Sequence, residues 1–197
     1  MSRDAISILT ADHRAVDELF EQFDLYDDTA ATGTKRELVD RIVRELSVHA
    51  SAEEQVLYPA VRAEVPGGEA IVSKSLHEHQ KVKELAAELE RTDAGTPALV
   101  AKVRILILDV RHHVAEEEHD LFPKLRSALT QSRLDELGGA LEAAKTLAPT
   151  HPHPAAPNTP PGNVVVGVAA AVVDRARDVV ERALHVGKET FERSRRG

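Results

Sequence analysis

Two stretches of this chain set a histidine four residues ahead of a glutamate. His49, Glu53, Glu54, Leu57, Tyr58 and Pro59 recur at the same spacing as His113, Glu117, Glu118, Leu121, Phe122 and Pro123. Four residues of α-helix turn through about 400°, so each His–Glu pair projects from one face, about one turn apart. A neutral imidazole beside a carboxylate is half of a metal site. Two such halves point to a two-metal centre.

The repeat reaches further back. Asp12, His13, Val16, Glu18 and Leu19 match Glu78, His79, Val82, Glu84 and Leu85 in character and spacing. Each half of the chain therefore supplies a lone His and then a His-x3-Glu.

Helices must carry these residues. Ile6, Leu9, His13, Val16, Phe20 and Phe23 form a helical stripe over about residues 4–27. Residues 27–33 read as a loop. Thr34 and Glu37 have capping-box spacing and open a second helix, with Leu38, Ile42, Leu46, His49, Glu53 and Val56 on its buried face. Pro59 is expected to kink that helix, and Val65-Pro66-Gly67-Gly68 to end it. A third helix covers about 69–91, with Val72, His79, Val82, Ala86 and Leu89 aligned. Thr96 should cap a fourth, with Pro97 at its first position, running to about 128 past Val103, Leu106, Val110, His113 and Glu117.

The expected organisation is a bundle over 1–128, a short helix over 129–147, a Pro-rich linker over 148–163 and a C-terminal amphipathic helix over 164–197. The linker holds six of the ten prolines and cannot be helical. In the last helix Val165, Val168, Val172, Val179, Ala183 and Val186 share a face opposite Arg175, Asp178, Glu181 and Arg182. That helix is expected to pack on the bundle or on a second copy, since its mixed-sign polar face does not suit a membrane.

Rise per residue tests whether the ligands meet. His13 lies ~21 Å above the end of its helix, and His49 lies ~22 Å up from Thr34, at 1.5 Å per residue. The second half gives a similar match for His79 and His113. All six groups fall in one layer. His77, about 200° from His79, His112, on a flank, and His119 should face elsewhere; these three, with His151, His153 and His185, read as solvated or capping histidines. Glu54 and Glu118 read as surface residues or as partners of ligating imidazoles.

Composition narrows the chemistry. Aromatic residues make up 3% of the 197 and cysteine is absent, which favours helices and removes thiolate sites, disulfides and thiol nucleophiles. Asp4, Asp12, Asp17, Glu18 and Glu21 near the start argue against a secretory leader, and no apolar run approaches the ~20 residues of a membrane span. A cytoplasmic protein is the expectation. The net charge of -8 argues against a nucleic-acid partner. Four imidazoles and two carboxylates without thiolate suit iron or manganese. Two bridging carboxylates leave about two His per ion, with positions open to a small molecule.

The pattern His, His-x3-Glu, His, His-x3-Glu, with Leu-aromatic-Pro after each pair, resembles the hemerythrin-like (HHE cation-binding) family over about residues 4–128. The resemblance implies an all-α, up-down-up-down antiparallel four-helix bundle. It also implies two non-haem iron ions with a bridging oxo or hydroxo group, held by His13, His49, Glu53, His79, His113 and Glu117. Oxygen-carrying members have a fifth His four residues before the one on the third helix. Ser75 stands there in this chain, which weighs against stable reversible oxygenation and leaves an iron pair open to peroxide. A ferritin-like bundle needs two Glu-x-x-His motifs. This chain has one, Glu116 to His119, out of phase with the buried stripe.

Three roles stay open at this stage: binding O2 or NO, catalase- or peroxidase-like turnover of peroxide, and iron holding or redox sensing without turnover. No pocket for an organic substrate is visible in the sequence, nor any phosphate loop or Ser-His-Asp set.

Overall fold

The computed structural model describes residues 3–25, 32–160, 162–163 and 166–178. Among these residues every regular element is helical. The elements are α1 (Ala5–Leu25), α2 (Thr32–Ala52), α3 (Tyr58–Glu64), α4 (Gly68–Arg91), α5 (Pro97–Glu116), α6 (Phe122–Ala128) and α7 (Gln131–Leu147). Residues 166–178 form a further helical stretch, α8. No described helix is long and apolar enough to cross a membrane.

Two apolar clusters make up the core. One gathers Ile6 and Leu9 of α1 with Val61, Val72, Leu125 and Leu141. The other gathers Val16 and Phe20 with Ile42, Leu46, Ala86, Leu106 and Val110. The buried histidine of each long helix falls between its contributions to the two clusters. His13 lies between Leu9 and Val16, His49 between Leu46 and Ala52, His79 between Val72 and Ala86, and His113 between Val110 and Leu121. A polar layer is thereby sandwiched between two oily ones. α1 and α4 pass from the first cluster to the second, and α2 and α5 pass back.

α2 and α3 are joined by one π-helical stretch, Glu53–Leu57, and α5 and α6 by another, Glu117–Leu121. The N–H of Tyr58 closes back to the Glu53 carbonyl and that of Phe122 to the Glu117 carbonyl, both five residues away. Pro59 and Pro123 follow immediately. A proline has no N–H for the carbonyl four residues back, and its ring crowds that carbonyl. The helix answers by widening one turn instead of kinking. The extra residue shifts the buried face: Leu57, at 0% exposure, replaces the expected Val56, which is partly buried.

Other expectations change in detail. α2 is helical from Thr32, two residues ahead of Thr34. Thr96 occupies the position before α5, but its hydroxyl donates to the Asp93 carbonyl at 2.7 Å and leaves the helix uncapped. Thr130 does cap α7, accepting from the Arg133 N–H. The α3–α4 turn needs both of its glycines. Gly67 has φ 74°, and a Cβ on Gly68 would stand 2.0 Å from the Val61 carbonyl oxygen.

The largest departure is the face of α8. Gly167, Ala171, Asp174 and Asp178 are buried, whereas Val168 and Val172 are 42% and 67% exposed. The expected apolar side faces outward. The physical reason is that both aspartates find partners. Asp174 accepts the N–H groups of Thr150 and His151. Asp178 pairs with Arg44 at 2.7 Å and takes the Thr150 hydroxyl. Glycine and alanine between them allow close approach. Val165, Val179, Glu181, Arg182, Ala183, His185 and Val186 lie outside the described residues.

Candidate metal centre

All six predicted ligands converge. His13, His49, Glu53 and Glu117 form one group and Glu53, His79 and His113 a second, with ligand atoms inside each group within 4.8 Å of one another. Ligands around one six-coordinate ion with bonds of ~2.1 Å lie at most ~4.2 Å apart, so a small inward shift suffices. All six are at most 8% exposed.

Both carboxylates straddle the groups. Glu53 Oε2 lies 3.2 Å from His49 Nε2 and 3.4 Å from His79 Nε2. Glu117 offers Oε2 to His13 Nε2 at 3.4 Å and Oε1 to His113 Nε2 at 3.5 Å. His79 Nε2 and His113 Nε2 face each other at 3.1 Å. Within this layer His13 Nε2, His49 Nε2, both oxygens of Glu53 and Oε2 of Glu117 are buried without a hydrogen-bond partner. Buried polar atoms are normally paired, and leaving one unpaired costs about 1–3 kcal/mol. Five such atoms aimed at one volume fit bound cations.

A second ring of carboxylates holds the imidazoles. His13 Nδ1 bonds to Glu118 at 2.8 Å, His79 Nδ1 to Glu54 at 3.0 Å and His113 Nδ1 to Glu78 at 2.8 Å. Asp12 lies 3.5 Å from His49 Nδ1. With a cation bound, an Nδ1–H directed at a carboxylate would leave a neutral ring whose Nε2 lone pair faces the centre. The pattern is crossed: Glu118 and Glu54 each serve the lone His of the opposite half. Asp12 and Glu78 were missed as partners in the sequence, although each immediately precedes the lone His of its half.

The electrostatics follow from the packing. Burial alone would lower the pKa of His49, but Glu53 and Asp12 outweigh it and raise it to about 10. His79, opposed by burial and favoured by Glu53 and Glu54, reaches about 9. Burial also works against ionising Glu53, yet His49 and His79 hold it well below the usual carboxylate range. Protons on these rings balance the buried carboxylates, and a cation entering the layer must displace them.

Tyr58 and Phe122 break the symmetry. The Tyr58 hydroxyl lies 3.0 Å from His79 Nε2 and donates to Glu117 Oε1 at 3.2 Å. Burial, with Glu117 and Glu53 beside it, keeps the phenol protonated by raising its pKa well above 10. Ser75 is buried next to that hydroxyl. Phe122 instead stacks on the His13 ring, centroids 5.8 Å apart.

The remaining histidines stand apart from this layer. His77 is exposed, His112 pairs with Glu116 on the surface, and His119 Nδ1 bonds to the Ala115 carbonyl. Glu78, His112 and Glu116 also approach one another, but the Lys74 ammonium already pairs with both glutamates. His151 and His153, expected to be solvated or capping, are tied to Asp178 and Asp174 at 3.1 Å.

A cavity of about 30 Å³ adjoins the four imidazoles, closed by Val16, Leu46, Val82 and Val110 among others. That is room for one or two waters or a diatomic molecule.

A family model described as the hemerythrin HHE cation binding domain matches residues 4–125. The chain belongs to that family. An uncharacterised hemerythrin-like protein of Schizosaccharomyces pombe is 33% identical over 73% of this chain and 71% of its own length. A Nostoc protein named DNA nickase is 30% identical over 71% of this chain, a match spanning 38% of the nickase. Among solved structures, a hemerythrin HHE cation-binding domain-containing protein from Mycobacterium kansasii aligns with TM-score 0.63 and 23% identity. It covers 73% of this chain and 86% of that one, and shares the fold. α7 begins beyond the residues that the family model matches, and α8 follows it. The Schizosaccharomyces pombe and Mycobacterium matches, each spanning 73% of this hemerythrin-like chain, are long enough to reach into α7, so the C-terminal segment from α7 onward lies beyond the family model but is not wholly foreign to the relatives.

Proposed function

We propose that His13, His49, Glu53, His79, His113 and Glu117 hold two non-haem iron ions, and that this pair binds O2 or reacts with peroxide or a similarly small oxidant. The observation that carries the reading is the set of five unpartnered buried polar atoms converging between four helices. When bound, such ions supply Lewis acidity and electron transfer to a small ligand.

The chain's own residues set the terms. The carboxylate ring orients the imidazoles, Tyr58 supplies one protonated hydroxyl at the centre, and the valine-rich cavity excludes organic substrates by size. The donor set lacks thiolate and favours iron or manganese over structural zinc. The net charge of -8 works against a DNA substrate such as the nickase relative's name describes.

Metal analysis of the purified protein, with visible spectra under nitrogen, in air and after peroxide, tests the reading. Two irons per chain and an oxidant-dependent band are expected. Glu53→Gln should lose about half or more of the iron, while His77→Ala keeps it. Equal iron in all three proteins would overturn the assignment. Peroxide consumption that disappears in Glu117→Ala identifies turnover. Two irons without spectral response to O2 or peroxide would favour iron holding.

A further inference from the structure

Lysines back three of the four outer carboxylates, and two of those backings involve the C-terminal segment from α7 onward. Lys145 of α7 donates to Asp12 Oδ1 at 2.5 Å, while Asp12 Oδ2 faces the His49 ring. Lys83 donates to both oxygens of Glu54 at 2.7 Å, and Glu54 carries the His79 ring. Lys83 is itself fixed by Asn158 Oδ1 at 3.0 Å, from the Pro-rich stretch. Asn163 adds a hydrogen bond to the Glu54 carbonyl, and Gln80 donates to the Pro154 carbonyl. The Pro-rich stretch is thus laid along α4 and the first π-helical stretch beside the centre.

Its far end is fastened. Asp174 and Asp178, 4% and 5% exposed, gather Thr150, His151, His153 and Arg44. A segment that only linked two bodies would not need two buried carboxylates with this many partners.

We propose that Lys145 and Asn158, both outside the residues the family model matches, are positioning residues of the metal centre: Lys145 holds Asp12 directly, Asn158 holds Glu54 through Lys83, and so they set how tightly His49 and His79 grip their ions. The inference rests on the metal reading above. The two residues act on different ions, because His49 and His79 belong to different groups. Carboxylates bonded directly to metal-bound histidines typically change metal affinity 10–100-fold when removed, and residues that hold those carboxylates act one step further out, with a smaller effect.

Cobalt(II) titration of the full-length metal-free protein, followed by its visible bands, tests this with Lys145→Met, Lys145→Arg, Asn158→Ala and the surface control Lys124→Met. Thermal melts of the metal-free forms run in parallel. Lys145→Met is expected to weaken cobalt binding several-fold, up to roughly tenfold, to shift the band and to keep two ions at saturation. Asn158→Ala should weaken the other ion, and Lys145→Arg should regain most of the affinity. Lys124→Met should match the wild type. Unchanged affinity and bands in both Lys145→Met and Asn158→Ala, with two ions in the wild type, would overturn the inference alone. So would an affinity loss equalled by Lys124→Met, or one that only tracks lost thermal stability. A wild type that takes up no cobalt would overturn the metal site and this inference with it.

Discussion

Tyr58 and Phe122 occupy equivalent places in the two halves, yet one brings a hydroxyl to the centre and the other a stacked ring. Deleting that hydroxyl leaves Glu117 Oε1 without its donor. Tyr58→Phe should destabilise the metal-free protein by about 1–3 kcal/mol, read by urea unfolding. The imidazoles set a pH dependence of definite sign. His49 and His79 rise from an ordinary 6.5 to about 10 and about 9 in the folded, metal-free state. A raised pKa contributes stability in full below the unfolded value, and that contribution is lost as pH climbs through the folded one. The metal-free Tm should therefore fall between pH 6.5 and 10. Loading iron or cobalt at neutral pH should release protons, measurable with an indicator dye in weak buffer. The six ligands were legible because each interrupts an apolar stripe at helical spacing. Asp12, Glu78, Lys83 and Lys145 were not, because charged residues beside a stripe look the same whether they reach a buried ring or water.

At the level of elements, the two π turns explain why the role of Tyr58 could not be read from spacing. In an unbroken α-helix Tyr58 would stand ~140° round from Glu53. Closure over five residues brings it one turn above that carboxylate instead. The Leu-aromatic-Pro sequence signals the disturbance, but not that the helix absorbs it by widening. α8 misled for a related reason. Period alone assigned Val168 and Val172 to the buried side, whereas hydrogen bonds to Asp174 and Asp178 decided the outcome. The α3–α4 turn offers a direct test of packing. Gly68→Ala forces a methyl against the Val61 carbonyl and should cost about 1–3 kcal/mol, visible as a lowered urea midpoint.

Across the whole molecule, two oily clusters enclose one charged layer, and the residues that hold its histidines come from both sequence repeats and from the C-terminal segment beyond the family model. Burying Glu53 and Glu117 among imidazoles is costly without compensating charge, so folding and cation uptake should be coupled. The fourfold interruption of the stripes made this layer visible in the sequence. The fastening of Thr150, His151 and His153 to Asp174 and Asp178 was invisible there, since a proline-rich run gives no sign of what it lies against.

The crossed wiring has a genetic consequence. His13 leans on Glu118 and His79 on Glu54, and the group around His13 and His49 also takes in Glu117. Neither repeat owns a finished set. If the gene were divided between the codons for Pro66 and Gly67, each product alone should fail to retain iron under dialysis. Producing both together should restore it through complementation, with the cation acting as the rivet between the fragments.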